Sequence, residues 1–373
     1  MRRPSHRLAR ISNLPGAESR LETMSTPVAA ARRTPERHGR ITTLPDPRLP
    51  SWGPVRRARV AAFVLWGNLI CQMGIILSGG AVRLTASGLG CSSWPHCEPG
   101  QFTPELTLEA GIHPFVEFGN RSLTGVLSVF AVAVLLVAWR WLGHKGTGFR
   151  RLALVPLIGT ALQAGIGAFV VWLDLHPGIV SPHFLISPVL VALSTVLLVR
   201  LYDGDGRIRL AVPRAALSAF VPLAVLGFVV LVLGTLVTGT GPHSGDAGEV
   251  TRIDIDPVLI SRIHAVSVYA VCAVLAVLLV ILHRARARRE AIGAAWWLVA
   301  LTLAQGVIGY IQYFTGLPEL IVFLHLLGAA VFAAGIAWVG ARLVTWQEPQ
   351  AAPTGDTSAE AGTRAAHRGT EAR

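Results

Sequence analysis

Residues 220–237 read Phe-Val-Pro-Leu-Ala-Val-Leu-Gly-Phe-Val-Val-Leu-Val-Leu-Gly-Thr-Leu-Val, eighteen positions without a charged side chain. About 20 apolar residues in helix cross a hydrocarbon core of about 30 Å, and with its flanks, 216–238, this run is long enough. Lipid offers no partner to a backbone N–H or C=O, so such a span must be helical. Seven further segments share its character, near 60–77, 122–141, 152–172, 183–201, 260–282, 292–314 and 321–344. The composition agrees. The 373 residues are 52% hydrophobic and 14% charged, with mean hydropathy +0.54, whereas a soluble domain carries about 25% charged residues. A solvated enzyme domain, a disordered chain and a fibrous repeat are excluded.

Charge orients the spans. The loops after spans two, four and six contain Arg140, Lys145, Arg150, Arg151, Arg200, Arg207, Arg209, Arg214, Arg284, Arg286, Arg288 and Arg289. The opposite loops, 86–116, 173–182, 240–259 and 315–320, contain Arg252 and a set of acids that includes Glu98, Glu105, Asp174, Asp246 and Glu319. Basic loops stay in the cytoplasm, so both termini are expected there. The formal charge of +12, carried by 32 Arg and Lys145, then points to acidic lipid headgroups and not to nucleic acid. Segments 1–57 and 346–373 lack apolar periodicity and read as disordered cytoplasmic tails. No cleavable signal fits the late first apolar run.

The chain also repeats itself. Shifted by 142 residues, 163–185 aligns with 305–327, and eight of the 23 positions are identical: Gln163/Gln305, Ile166/Ile308, Gly167/Gly309, Leu175/Leu317, Ile179/Ile321, Val180/Val322, His183/His325 and Leu185/Leu327. Spans one and five end alike, in Val-Arg-Leu-Thr at 82–85 and Leu-Val-Thr-Gly at 236–239. An even number of spans per unit keeps both units in one orientation. The expected fold is therefore an all-α integral membrane protein whose eight transmembrane helices form two parallel four-helix bundle repeats, 58–205 and 206–345.

Matched histidines mark the repeats. His264 and His325 lie within about two turns of the outer surface, and paired imidazoles in a bundle core are what a haem iron takes as axial ligands. His183 matches His325, while the place matching His264 falls on Asn120, 63 residues before His183 where His264 is 61 before His325. A single histidine at a helix end more often anchors in the interface; a pair repeated in register is a stronger sign of function. His113, His176 and His243 in outer loops, and His144 and His283 in cytoplasmic ones, read as solvated. Gln163 and Gln305 read as helix–helix hydrogen-bonding groups.

The first outer loop, 79–97, runs Gly-Gly-Ala-Val-Arg-Leu-Thr-Ala-Ser-Gly-Leu-Gly-Cys-Ser-Ser-Trp-Pro-His-Cys. Cys91 and Cys97 lie on the side where a disulfide can persist, as a structural staple or as a redox-active pair; spacing does not decide. Cys71 and Cys272 lie in apolar spans and read as packing residues. Glu117 precedes Asn120 by three positions, on one helical face, and could act on protons or simply anchor in the interface. Arg83 and Arg121 break the positive-inside trend, which pairing with substrate carboxylates such as haem propionates would explain.

On these residues the chain resembles the haem A synthase family, membrane enzymes that convert haem O to haem A. The resemblance spans about 57–345 and rests on the 79–97 loop, on Glu117 and Arg121 at the start of span two, and on His183, His264 and His325. It implies a resident haem b whose iron is ligated by His264 and His325, and a substrate haem near Glu117, Asn120 and His183. It implies oxidation of the C8 methyl of haem O, through two hydroxylations and loss of water, to the formyl group of haem A used in terminal oxidase assembly. Glu117 matches the family's catalytic carboxylate, and Cys91 and Cys97 its outer-loop disulfide. One position departs: Asn120 stands where the family has histidine, leaving His183 to hold the substrate iron. The implied partners are haem O, membrane lipid and an electron donor, with haem O synthase and a second copy of the chain as further ones; nucleic acid is not among them. The alternative reading is a di-haem b-type transmembrane electron carrier without substrate chemistry, which needs neither Glu117 nor the cysteine loop.

Overall fold

Pro54 opens the first helix, where its missing N–H costs nothing and its φ is already helical; α1 runs Pro54–Leu84. The computed structural model describes residues 53–347 apart from 106–110, 206, 244, 247 and 249. Expectations for 1–52 and 348–373 therefore lie outside the described residues. After α1 come α2 (His113–Arg140), a 3-10 turn (Gly143–Lys145), the short α3 (Gly146–Leu152), α4 (Val155–Trp172) and α5 (Pro177–Tyr202). The strand β1 (Arg207–Leu210) leads to α6 (Arg214–Thr240), α7 (Pro257–Arg284), α8 (Arg289–Phe314), α9 (Glu319–Arg342) and β2 (Val344–Gln347).

Among the described residues, eight helical segments are long and apolar enough to cross a membrane, with α3 and α4 together making the third. The fold is mostly helical, as expected, with one two-stranded ribbon besides. Large apolar side chains such as Phe63, Val129, Val266 and Val307 stand on the outside of the helices. Water would not tolerate so many contiguous apolar faces, and lipid does. Prolines 182, 188 and 222 sit inside helices, which membrane-spanning helices tolerate better than soluble ones.

Two expected boundaries shift. The helix α1 begins inside the segment assigned to the N-terminal tail, because Pro54 is a helix starter. Residues 346–347 belong to β2, which pairs antiparallel with β1, Ile208 opposite Trp346. A two-stranded ribbon this short gives no periodicity to read.

Helix α1 packs on α2 and α5, and α4 on α2 and α5; α6 packs on α7, α7 on α8 and α8 on α9. Helix α9 also lies against α1 and α5. Two apolar cores result. One gathers Leu65, Leu69, Val134, Ala138, Val191 and Ala330; the other gathers Leu223, Val271, Leu275, Leu298, Phe332 and Val339.

The turn between α4 and α5 recurs between α8 and α9. Leu175 and Leu317 both adopt left-handed backbone, at φ 57° and 62°, and their N–H groups reach back to Val170 O and Gln312 O at 2.9 and 2.8 Å. Each preceding residue, Asp174 and Gly316, is also left-handed. A leucine there is strained, so the 142-residue repeat extends to an uncommon backbone conformation.

Candidate functional site

The histidines singled out by the repeat gather at one end of the helices. His183, His264 and His325 lie six or seven residues into α5, α7 and α9, about 9–10 Å along each axis at 1.5 Å per residue. The rings of His264 and His325 face each other with centroids 6.5 Å apart and planes at 75°. An imidazole nitrogen binds a first-row metal at about 2 Å, so two rings on opposite sides of one ion have centres about 6 Å apart. The observed pair has that spacing.

Glycines flank these rings. A Cβ at Gly309 would lie 3.5 Å from His325 Cε1, one at Gly234 3.5 Å from His264 Cε1, and one at Gly167 3.6 Å from His183 Cε1. Bare backbone thus lies flat beside each imidazole where a larger side chain would displace it. The Nδ1 atoms of His183, His264 and His325 are buried without a hydrogen-bond partner. Buried orphan nitrogens in such numbers call for a ligand or an internal partner. Among the described residues no three His, Cys, Asp or Glu side chains converge as a metal site. Two imidazoles alone suit a metal that brings its remaining donors with it, as a porphyrin iron does.

In the other half, Asn120 sits on the first turns of α2 beside Gly79 of α1, and its Oδ1 accepts a hydrogen bond from Ser78 Oγ at 2.7 Å. Three residues earlier, Glu117 is 4% exposed. Its Oε1 meets the Arg121 guanidinium, and its Oε2 accepts the Cys91 backbone N–H at 2.8 Å. Arg121 also donates through Nη1 to Ser93 O at 2.7 Å and His96 O at 3.0 Å. Cys91 and Cys97 are joined in a disulfide. The loop and the start of α2 therefore form one clamp: Glu117 and Arg121 hold the backbone that the disulfide closes.

Arg121 was expected to meet a substrate carboxylate. All three of its nitrogens are already on protein acceptors. Arg83 donates through Nε to His243 O at 2.6 Å and through Nη2 to Thr238 O at 2.5 Å, leaving Nη1. Backbone carbonyls have no sequence signature, which is why the partners of Arg83 and the Ser93 and His96 partners of Arg121 were not foreseen; Glu117, four residues from Arg121, is the exception. Arg83 thereby links the end of α1 to the end of α6, beside the Gly88 N–H to Gly245 O bond of 2.7 Å. His243, expected to be solvated, bonds the Leu317 carbonyl through Nε2 at 3.0 Å. Gln163 does bridge helices, donating to His183 O at 2.9 Å and Ser187 Oγ at 2.6 Å.

Sequence reasoning overlooked Ser78 and Gly234, and read Gly79 as the start of the outer loop, whereas it lies inside α1. A signal existed: Gly-x-x-Val-x-x-Thr occurs at 79–85 and again at 234–240. A separate concavity of about 470 Å³ lies at the opposite end of the helices, lined by Arg57, Trp141, Lys145 and Tyr202 among others. It contains none of the site residues.

Comparison with known proteins places these features in context. The family described as cytochrome oxidase assembly protein, COX15-CtaA, matches residues 62–251. The chain is 33% identical over 142 residues to a protein named haem A synthase from Bacillus licheniformis, covering 37% of this chain and 44% of that protein. It is 34% identical over 160 residues to the haem A synthase of Lysinibacillus sphaericus, covering 39% and 48%, and 30% identical over 142 residues to that of Listeria welshimeri, covering 38% and 45%. The chain thus spans about half the length of the curated relatives it matches.

Proposed function

The chain belongs to the COX15-CtaA family of cytochrome oxidase assembly proteins, and from that premise we propose that it is a haem A synthase, oxidising the C8 methyl of haem O to a formyl group. The observation that carries this reading is the facing pair His264 and His325, 6.5 Å apart and each backed by a glycine. On this reading the two imidazoles hold a resident haem b in a C-terminal bundle, 206–345. The substrate haem sits in an N-terminal bundle, 58–205, where His183 holds its iron. The repeated left-handed turns and the matched glycine–ring contacts support the two-bundle division.

A bound haem supplies one-electron redox chemistry at its iron; the rest falls to side chains. Glu117 is placed to hold or accept a proton at the substrate. Each carboxylate oxygen has about two acceptor sites; Oε1 already takes two N–H groups of Arg121, so the remaining capacity is at Oε2, beside the Cys91 N–H. Arg121 fixes Glu117 and the disulfide loop. Arg83, through Nη1, is the guanidinium offered to a propionate.

The asymmetry of basic residues supports cytoplasmic termini and haem sites toward the outer leaflet. The partners this reading requires are haem O, membrane lipid and an electron donor; haem O synthase and a second copy of the chain are the further ones it admits. A di-haem carrier would use the same histidines but has no use for the carboxylate–disulfide clamp. Incubating the purified full chain with haem O and a reductant, then extracting pigments, tests the proposal. Formyl haem is the expected product; its absence with a competent donor favours the carrier.

A further inference from the structure

The two halves differ at one of their facing positions, and the difference has a chemical direction. Gly234 on α6 lies against His264 on α7; Gly79 on α1 lies against Asn120 on α2. The Gly-x-x-Val-x-x-Thr pattern aligns those two glycines. The other ring positions, His183 with Gly167 and His325 with Gly309, correspond residue by residue at a shift of 142. Asn120 thus holds the place in the first half that His264 holds in the second.

A side-chain amide offers an acceptor oxygen and an NH2 with two donors. The Asn120 oxygen is engaged, with Ser78 Oγ 2.7 Å from Oδ1. The same hydroxyl lies 3.2 Å from Ile75 O, one turn back on α1, and its single proton favours the shorter contact. With Oδ1 holding that proton, the free end of Asn120 is Nδ2, which donates and has no lone pair for a metal. In the opposite arrangement Ser78 would donate to Ile75 O and accept from Nδ2, leaving the oxygen as the free end.

We infer that Asn120, oriented by Ser78, presents a hydrogen-bond donor and not a second axial ligand to the metalloporphyrin of the first half, with His183 its sole protein ligand. This rests on the haem reading above. Ser78 is then a positioning residue. Donors facing the open side of a haem are among the groups that govern what the iron does with small ligands, so the Asn120 place distinguishes a reactive site from the electron-holding His264/His325 site.

Carbon monoxide tests this on the full-length protein loaded with haem O and reduced. A haem with two histidine ligands has no free position, so the gas reports the first half alone, and the low-spin signal of the second half serves as the check of folding in every variant. The wild type is expected to form one carbonyl adduct. Asn120→Leu should keep the adduct and move its C–O stretch to higher frequency. Ser78→Ala should split or broaden the band as the amide rotates, and Asn120→His should abolish the adduct and add a second low-spin haem. An unchanged stretch in Asn120→Leu, or two low-spin haems and no adduct in the wild type, overturns the inference while leaving the haem reading intact. Uptake of a single haem equivalent, with no adduct, overturns the reading of the first half and the inference with it.

Discussion

The carboxylate of Glu117 accepts the backbone N–H of Cys91 at 2.8 Å, joining a buried acid in α2 to the residue that begins the disulfide loop. The bond ties the geometry of the acid to the closure of the loop. Opening the disulfide in Cys91→Ser/Cys97→Ser should therefore lower conversion of haem O without loss of the His264/His325 haem. Glu117→Gln should lower it by about 10²-fold or more, the range for a positioned proton-transfer group. Since both changes act on one unit, the combined variant should fall less than the product of the two effects. Pigment extraction after timed turnover measures all three; a full multiplicative loss would separate the loop from the acid.

His264→Ala and His325→Ala should each remove the low-spin b-type absorbance from the purified protein, because neither imidazole alone completes the axial pair. The spectrum before and after reduction decides. A signal retained in both variants would move the resident haem to other ligands.

At Gly309 an added Cβ meets His325 Cε1 at 3.5 Å, an ordinary contact. Gly309→Ala is expected to keep the haem and to raise stability by about 0.5–1 kcal/mol, the usual helix-interior difference between these residues. Gly309→Leu drives the ring from its place and should lose the haem. Thermal unfolding in detergent and the optical spectrum read the two outcomes. Haem retention in the leucine variant would show that the ring is not held against α8.

Leu317 and Leu175 share a left-handed backbone but not their surroundings. Leu317→Gly relieves a cost of roughly 1–2 kcal/mol, so its melting temperature should rise. Leu175 is buried, with its side chain against Gly88 and Gly245, so Leu175→Gly exchanges the same relief for lost packing and should gain less or destabilise. Paired unfolding curves compare them; equal shifts would deny the packing role of Leu175.

Much of this was legible before any coordinates. Hydropathy is a property of consecutive residues, since each apolar side chain contributes its transfer free energy wherever the helix lies, so the eight spans could be counted from 373 letters. The repeat at 142 residues was equally plain, and it picked out His183 and His325 because matched positions in like units meet like surroundings. The departure at Asn120 came from the family resemblance, which has histidine there.

What only the tertiary structure decided were the relations between helices. The 6.5 Å between His264 and His325 follows from how α6 and α8 hold α7 and α9 on either side, and the acceptors for Arg83, like those for Nη1 of Arg121, are carbonyls, which every residue carries alike. The Ser78 to Asn120 bond joins two helices 42 positions apart, and the β1/β2 ribbon joins segments separated by the whole second half. Burial of apolar surface is summed locally and can be read from a string; a hydrogen bond depends on distance and angle between atoms far apart in the chain, and those are set only when the helices have packed.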